Sequence, residues 1–186
     1  MNVNTVNLNH NLEIQATVNG KIMKGEIINS SPEEILEKGY GEKVGTKIVL
    51  EPYEMLYLLG KKAITVKSAN FQVNFTELLK QICAKRQGFS KYLVYKDLRD
   101  RGYVVKEGIE PFYSFRLFEK GTFSTSPAKH RILIINEGDD IKVEKLKNYI
   151  TSSVMQERGS IVAVVDRRGE IIYYKSFLIT SGSKIE

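Results

Sequence analysis

The chain has 186 residues, a formal net charge of +6 and a hydrophobic fraction of 42%. This composition excludes a disordered chain and leaves room for one large domain or two small ones. No apolar run approaches the roughly 20 residues of a membrane helix, and the asparagine-rich start lacks the apolar centre of a signal peptide. The one cysteine, Cys83, excludes an internal disulfide and a thiolate zinc cluster. We therefore expect a cytoplasmic protein without membrane contact, metal or cofactor, with Cys83 buried on a helix.

The surplus of basic residues has two interpretations. Positive charge attracts phosphate backbones and makes such binding sensitive to salt. A solvated surface rich in Lys and Glu, of the kind found in thermophilic proteins, gives the same composition. Charge alone does not decide between a nucleic-acid-binding protein and an ordinary basic surface.

The first half of the chain predicts a small α/β unit. Asn19-Gly20 lies between two strand-like runs and favours a hairpin, since both residues tolerate positive φ. Proline at the start of a helix follows Ser31 and again Glu51. The predicted elements are strands at 12–18, 21–28, 47–50 and 63–66 and helices at 32–38, 53–59 and 75–87.

Two capping patterns place the helices in the middle of the chain. Asn74, followed three residues later by Glu77, predicts a capping box, and Gly88 is expected to end that helix. Ser90 is expected to cap a second helix that Gly102 ends. We predict the domain boundary near Gly88, which divides the chain into residues 1–87 and 88–186. The fold class is therefore α/β (α+β), with a small mixed N-terminal subdomain packed on a C-terminal α/β domain built around a central mixed sheet.

The second half of the chain alternates more regularly between strands and a helix. The predicted strands are 103–106, 113–118, 131–136, 161–166 and 171–179, and the helix 142–158 carries Leu146, Tyr149, Ile150 and Val154 on one face. The last strand is apolar almost throughout. An exposed apolar edge invites aggregation unless something covers it. We therefore expect this strand either to be flanked on both sides or to pair with a strand of another subunit.

The segment 90–108, a helix that ends at glycine and leads directly into a strand, resembles the opening of the C-terminal domain of archaeal tRNA-splicing endonucleases. Further segments that resemble this family are 51–59, 114–118, 161–166 and 169–174. In the family a Tyr, a His and a Lys cut pre-tRNA without a metal, leaving a 2′,3′-cyclic phosphate and a 5′-hydroxyl. The Tyr is assigned as base, the His as acid and the Lys as the fixed charge beside the phosphorane.

The resemblance places a different residue type at each of these three positions, and two of the three are apolar. The Tyr that ends the family's Asp-Phe-x-Val-Tyr strand corresponds to Phe118, and the His ten residues later corresponds to Ala128. The Lys eight residues before Asp166 corresponds to Arg158, which keeps the charge but not the compact ammonium. His130 is the fallback acid, since a two-residue gap would bring it into register. The resemblance therefore implies a chain without the catalytic triad.

Some members of the family consist of a catalytic and a structural subunit, and a fold without the triad resembles the structural one. The partners implied are pre-tRNA and a catalytic paralogue, assembled as an α2β2 heterotetramer. The expected subunit interface consists of Ile171, Tyr173, Phe177, Leu178 and Ile179, with Asp166 and Glu170 in the preceding turn. The expected phosphate contacts are Arg158, Lys142, Lys145 and Lys147. The turn also contains two arginines, 167 and 168, which puts its acidic docking role in doubt.

Three other functions stay open at this point. The first is an active splicing subunit with His130 as general acid. The second is a metal-dependent nuclease, because Glu137, Asp139 and Asp140 lie just before Lys142. Acids at a helix start are also favoured by the helix dipole, which favours an ordinary capping role. The third is an RNA-binding module that has no enzyme partner.

Overall fold

The computed structural model describes residues 12–19, 22–29, 32–68, 71–85, 87–109 and 111–178. The chain divides into two compact units, Met1–Gly102 and Tyr103–Glu186. Each unit contains one mixed sheet, which confirms the predicted fold class. No helix in these described ranges is long and apolar enough to cross a membrane.

The first unit holds a six-stranded sheet with the order β3-β4-β2-β1-β5-β6. Its strands are β1 Leu12–Asn19, β2 Ile22–Asn29, β3 Glu42–Val44, β4 Lys47–Leu50, β5 Ile64–Ser68 and β6 Phe71–Val73. Strand β1 runs antiparallel to β2 and parallel to β5. The predicted hairpin of β1 and β2 is confirmed, although Gly20 in its turn lies outside the described residues.

The described part of the first unit contains four helices, namely α1 Pro32–Glu37, α2 Pro52–Gly60, α3 Phe75–Cys83 and α4 Gly88–Asp100. The capping box of α3 is confirmed, because Asn74 Oδ1 accepts from the Glu77 N–H at 2.9 Å and Glu77 Oε2 accepts from the Asn74 N–H at 3.0 Å. Cys83 is exposed, so its predicted burial is wrong. Helix α3 instead turns Leu78 and Ile82 to the core.

The start of α4 differs from the prediction. The helix begins at Gly88, after Gln87 in the left-handed region with φ 60°, so Ser90 lies within the first turn rather than at the cap. A Cβ at Gly88 would lie 2.0 Å from the carbonyl oxygen of Ile82. Glycine is therefore needed there for close approach to the end of α3, and it starts a helix instead of ending one.

Helix α4 packs against α2 in the first unit. The rings of Tyr53 and Tyr95 lie 4.7 Å apart, and the Tyr57 hydroxyl donates to Asp100 at 3.0 Å. The compact unit accordingly extends to Gly102, whereas the division predicted from the sequence assigns this helix to the second half. The division of this chain into domains 1–87 and 88–186 stays a prediction.

The second unit holds a five-stranded sheet with the order β11-β10-β9-β8-β7. Its elements are β7 Val104–Ile109, β8 Tyr113–Phe118, β9 His130–Asn136, α5 Val143–Met155, β10 Gly159–Val165 and β11 Ile171–Ser176. Strands β9 and β10 are parallel, and α5 forms the crossover between them. The other neighbours are antiparallel.

The buried face of α5 is centred on Tyr149, which packs with Tyr113, Leu133 and Val162. Leu146 and Ile150 pack at the margin of this cluster, as predicted. Val154, however, is 48% exposed. Ser153 is buried in its place, and its hydroxyl donates to the Tyr149 carbonyl at 2.9 Å.

The hydroxyl of Tyr149 joins α5 to two strands. It lies 2.7 Å from the Arg131 carbonyl oxygen, 2.8 Å from the Ile161 carbonyl oxygen and 3.0 Å from the Ile161 nitrogen. It can donate its proton to only one of the two carbonyls while it accepts from the N–H. Burial raises the pKa of this phenol, so the hydroxyl stays protonated.

Removal of this hydroxyl should destabilise the fold. We expect Tyr149→Phe to lower the free energy of unfolding by about 1–3 kcal/mol, because it leaves buried backbone groups without a partner. Tyr174→Phe is the matched control, since Tyr174 is exposed on β11 and should change stability by less than about 0.5 kcal/mol. Urea unfolding of both variants measures the difference, and equal midpoints would contradict a structural role for the hydroxyl.

Strand β11 forms one end of the sheet order and pairs with β10 alone among the described strands. Ile172 and Tyr174 in this strand are exposed, and so are Phe177 and Leu178 just beyond it. Ile179 lies outside the described residues. The last strand is therefore an apolar edge and not a strand flanked on both sides.

Candidate functional site

A cleft of about 380 Å³ lies where β8 ends, β9 begins and α5 ends. Its lining residues are Tyr113, Arg116, Phe118, Pro127, Ala128, Arg131, Gln156 and Arg158. All of them belong to the second unit. The lining includes the three positions that the sequence resemblance assigns to Tyr, His and Lys.

The topology explains why these three positions meet. Phe118 is the last residue of β8, Ala128 precedes β9, and Arg158 lies between α5 and β10. The turn after α5 is held by a hydrogen bond from the Arg158 N–H to the Ser153 carbonyl at 2.8 Å. The Gly159 N–H donates to the Lys129 carbonyl at 2.9 Å, which ties this turn to the segment before β9.

None of the three side chains is the residue type that the family uses, and two of them are apolar. The ring of Phe118 is buried and packs edge-on against Phe123 at 5.0 Å. It has no titratable atom, and Ala128 has no polar side-chain atom. Arg158 supplies a positive charge, but a guanidinium stays protonated and neither gives nor takes a proton near neutral pH.

Two further arginines, which are not among the site residues predicted from the sequence, also line the cleft. Arg116 and Arg131 lie directly opposite each other on β8 and β9. Arg116 Nε donates to the Glu107 carbonyl at 2.9 Å. Arg131 is only 8% exposed and stacks on the Tyr113 ring at 4.6 Å. The alternation of side chains along two adjacent strands was the available signal, but their pairing register was not known from the sequence.

Arg131 is held in one orientation by the end of α5. Its Nη1 donates to the Ser152 carbonyl at 3.2 Å, and its Nη2 donates to the Gln156 side-chain oxygen. These bonds and the stacked ring leave the guanidinium little freedom. Arg131 therefore places a positive charge with a fixed position in the wall of the cleft.

His130 is not among the residues that line the cleft. It pairs with Leu117 on β8, whereas its neighbour Arg131 pairs with Arg116. Successive side chains of a strand point to opposite faces of the sheet, so His130 faces away from Arg131. Its Nδ1 is buried without a hydrogen-bond partner among the described residues, and a Cβ at Gly159 would lie 2.0 Å from that nitrogen.

The burial of His130 makes stability depend on pH. Desolvation lowers the pKa of His130 below its ordinary 6.5, with the charges of Lys129 and Lys175 acting in the same direction. The unfolded chain therefore binds more protons near that pH, and stability falls as pH drops through 6.5 and below. We expect His130→Gln to reduce this loss in thermal unfolding scans at successive pH values. Identical dependence of stability on pH in the wild type and in His130→Gln would contradict this role of His130.

The matches with known proteins agree with the sequence resemblance. The profile of the tRNA intron endonuclease catalytic C-terminal domain matches residues 89–173, and the profile of the N-terminal domain matches residues 20–79. The tRNA-splicing endonuclease of Pyrococcus abyssi is 30% identical over 162 residues, which cover 82% of this chain and 92% of the relative. This chain belongs to the tRNA intron endonuclease family.

Other relatives with the same name have similar coverage. The tRNA-splicing endonuclease of Pyrococcus furiosus is 33% identical over 148 residues, 75% of this chain and 81% of the relative. That of Methanococcus vannielii is 28% identical over 140 residues, 74% of this chain and 79% of the relative. The resemblance identified from the sequence is thus confirmed at the level of the family.

In this member of the family the predicted lysine contacts lie apart from the cleft. Lys142, Lys145 and Lys147 are exposed at the start of α5, and none of them lines the cleft. Arg158 follows the other end of the same helix. The structure therefore brings one of the four predicted phosphate contacts into the cleft and leaves three on a separate helical face.

The turn before β11 has a local structural role. Asp166 Oδ1 accepts from the N–H groups of Arg168 and Glu170, each at 2.8 Å. The hydrogen bond with Glu170 is the main reason that the pKa of Asp166 is lowered. The guanidinium of Arg168 lies within 4 Å of the Asp166 and Glu170 carboxylates, and that of Arg167 lies within 4 Å of the Glu137 carboxylate. Arg168 thus offsets the acidic charge of this turn, and Arg167 lies beside a carboxylate of the turn before α5.

The acidic residues before α5 are not arranged as a metal site. Asp139 Oδ2 accepts from the N–H and the side-chain amide of Asn136 at 3.2 and 3.1 Å, which shapes the turn. Across the described residues, no group of three or more His, Cys, Asp or Glu side chains could hold a metal ion. This geometry gives no support to the metal-dependent alternative.

Proposed function

We propose that this chain is the non-catalytic, structural subunit of a tRNA-splicing endonuclease that excises introns from pre-tRNA. One observation carries the proposal. The positions corresponding to the family's Tyr, His and Lys meet at a single cleft, and they hold Phe118, Ala128 and Arg158. A cleft of this kind has kept its architecture while losing the groups that transfer protons.

The reaction belongs to the partner in this proposal. The 2′-hydroxyl of the RNA attacks the adjacent phosphate, a base accepts its proton, and an acid protonates the leaving 5′ oxygen. The products are a 2′,3′-cyclic phosphate and a 5′-hydroxyl. The catalytic paralogue supplies both proton-transfer groups, and this chain supplies the second half of the assembled enzyme.

The apolar edge of β11 supports a subunit role. An unpaired strand edge readily adds a strand from another chain, and exposed apolar side chains favour that pairing. Ile172, Tyr174 and Phe177 together present such a surface. We infer that the catalytic paralogue pairs here, within an α2β2 heterotetramer.

Recognition of pre-tRNA would depend on shape rather than on base sequence. The narrow major groove of A-form RNA hides base edges, whereas bulged bases are splayed out and accessible. A bulge-helix-bulge substrate offers both features. The exposed Lys142, Lys145 and Lys147 are suited to phosphate contacts along the helix, and such contacts are sensitive to salt.

An active subunit with His130 as acid is the main competing function. The structure favours it less, since His130 faces away from Arg131 and does not line the cleft. A shift of register at His130 would also leave Phe118 without a phenol. An RNA-binding module that acts alone would be a monomer, with no need for an apolar strand edge.

A cleavage assay tests the proposal. The chain and its catalytic paralogue are purified separately and together, and each is incubated with an intron-bearing pre-tRNA. The proposal requires cutting by the mixture and none above background by this chain. Efficient cutting by this chain alone would disprove it.

A further inference from the structure

We infer that the cleft binds a phosphodiester group of RNA without cutting it, and that Arg158, Arg116 and Arg131 form the anion site. This inference rests on the proposed function for its choice of RNA as the ligand. The anion site itself follows from the distribution of charge in the cleft. It is a site for binding alone, in which Arg158 occupies the position of the family's Lys while Arg116 and Arg131 lie outside the three triad positions.

The first argument is the composition of the residues that line the cleft. Three of the residues that line the cleft are arginines, and none of the lining residues is acidic. Neither Arg131 nor Arg158 forms an ion pair with a carboxylate among the described residues. A buried charge is costly unless it is paired, and Arg131 is almost fully buried.

The second argument is the placement of like charges. Arg116 and Arg131 occupy directly opposed positions on antiparallel strands, where like charges destabilise a sheet. Arg158 adds a third positive charge at the same cleft. An anion bound among the three would offset this repulsion and give the arrangement a physical reason.

The third argument is that the donors are held in position. Arg131 is fixed by Ser152, Gln156 and the Tyr113 ring, and Arg116 is fixed by the Glu107 carbonyl. A guanidinium has five N–H donors, and its two-pronged edge matches the oxygens of a phosphate. The two bonds described for Arg131 therefore leave donors on the same group for a ligand.

The size of the cleft favours a nucleotide unit over a bare ion. A volume of about 380 Å³ falls within the range of small-molecule sites, roughly 300–1,000 Å³. The cleft can thus accommodate a phosphate together with part of the adjoining ribose. Phe118 and Ala128 add contact surface but no acid or base, so a bound phosphodiester would stay intact.

The experiment uses the full chain without its partner, so that it does not depend on the subunit role. Arg158→Gln removes one charge from the cleft, and Lys80→Gln removes one from the exposed surface of α3 in the other unit. Binding of a short oligouridylate is measured by fluorescence anisotropy at fixed ionic strength. We expect Arg158→Gln to weaken binding about tenfold, the cost of one charge-assisted hydrogen bond. Lys80→Gln should weaken it much less.

A second measurement with inorganic phosphate distinguishes a site for free phosphate from a site for RNA. Phosphate should raise the melting temperature of the wild type above that in chloride at equal ionic strength, and Arg158→Gln should remove this increase. Oligouridylate should compete with phosphate. Equal effects of the two substitutions, or no stabilisation by phosphate, would overturn the anion site. Stabilisation by phosphate without competition from oligouridylate would overturn the assignment to RNA. Failure of the cleavage assay would disprove the subunit role and leave these results unaffected.

Discussion

Purified by itself, the chain should cut an intron-bearing pre-tRNA at least about 10⁴-fold more slowly than its mixture with the catalytic paralogue that we propose as its partner. General base and general acid groups each contribute typically about 10²–10⁴-fold to a reaction of this type. By the sequence resemblance, Phe118 and Ala128 occupy the positions of these two groups, and neither side chain can transfer a proton. The retained charge of Arg158 can stabilise an anion, but it cannot move a proton.

Single-turnover cleavage measures this difference most directly, since it excludes slow product release. The informative control is His130→Gln in this chain, assembled with the unmodified paralogue. We expect its rate to stay within about twofold of the unmodified mixture, because a residue outside the reacting centre leaves the chemical step unchanged. A loss of about 10²-fold or more would identify His130 as the acid and overturn the structural-subunit proposal.

The regular elements of the second unit could be predicted from the sequence because their signals are local. Strand β10 contains an apolar run rich in β-branched residues, and α5 has a clear apolar face around Tyr149. The predictions that were wrong concern positions where a contact between residues far apart in the sequence determines the local structure. Position 88 needs glycine because Ile82 lies too close for any side chain, and no local pattern in the sequence shows that approach.

Short strands were missed for a related reason. Strands β3 and β6 have three residues each, too few for a recognisable alternation. Strand β6 forms because β5 offers it an edge, with Val66 opposite Val73. Pairing with an existing strand creates such elements, so they depend on the assembled sheet rather than on their own sequence.

The candidate site was predictable in part. Phe118, Ala128 and Arg158 were placed by resemblance, and the structure brings them to one cleft. Arg131 was missed because its partners Ser152 and Gln156 lie a helix away in the sequence. Its role depends on the crossover geometry of β9, α5 and β10, which fixes where the end of the helix meets the strand.

The edge of β11 should decide whether this chain can assemble. We expect Phe177→Asp to weaken association with the catalytic paralogue by about 30- to 1,000-fold, the effect of losing an interface hot spot worth about 2–4 kcal/mol. Phe177 is 68% exposed in the isolated chain, so the substitution should not disturb its own fold. A carboxylate placed between two paired apolar edges would be desolvated without a partner.

Phe112→Asp is the matched control. Phe112 is 61% exposed in the turn between β7 and β8, beside the opposite edge of the same sheet. It therefore receives the same charge at similar exposure but away from β11. Titration of a labelled paralogue, with thermal unfolding of each isolated variant, separates loss of assembly from loss of fold. Equal affinities for the two variants would exclude the β11 edge as the subunit interface, since the same charge would then act alike at both edges.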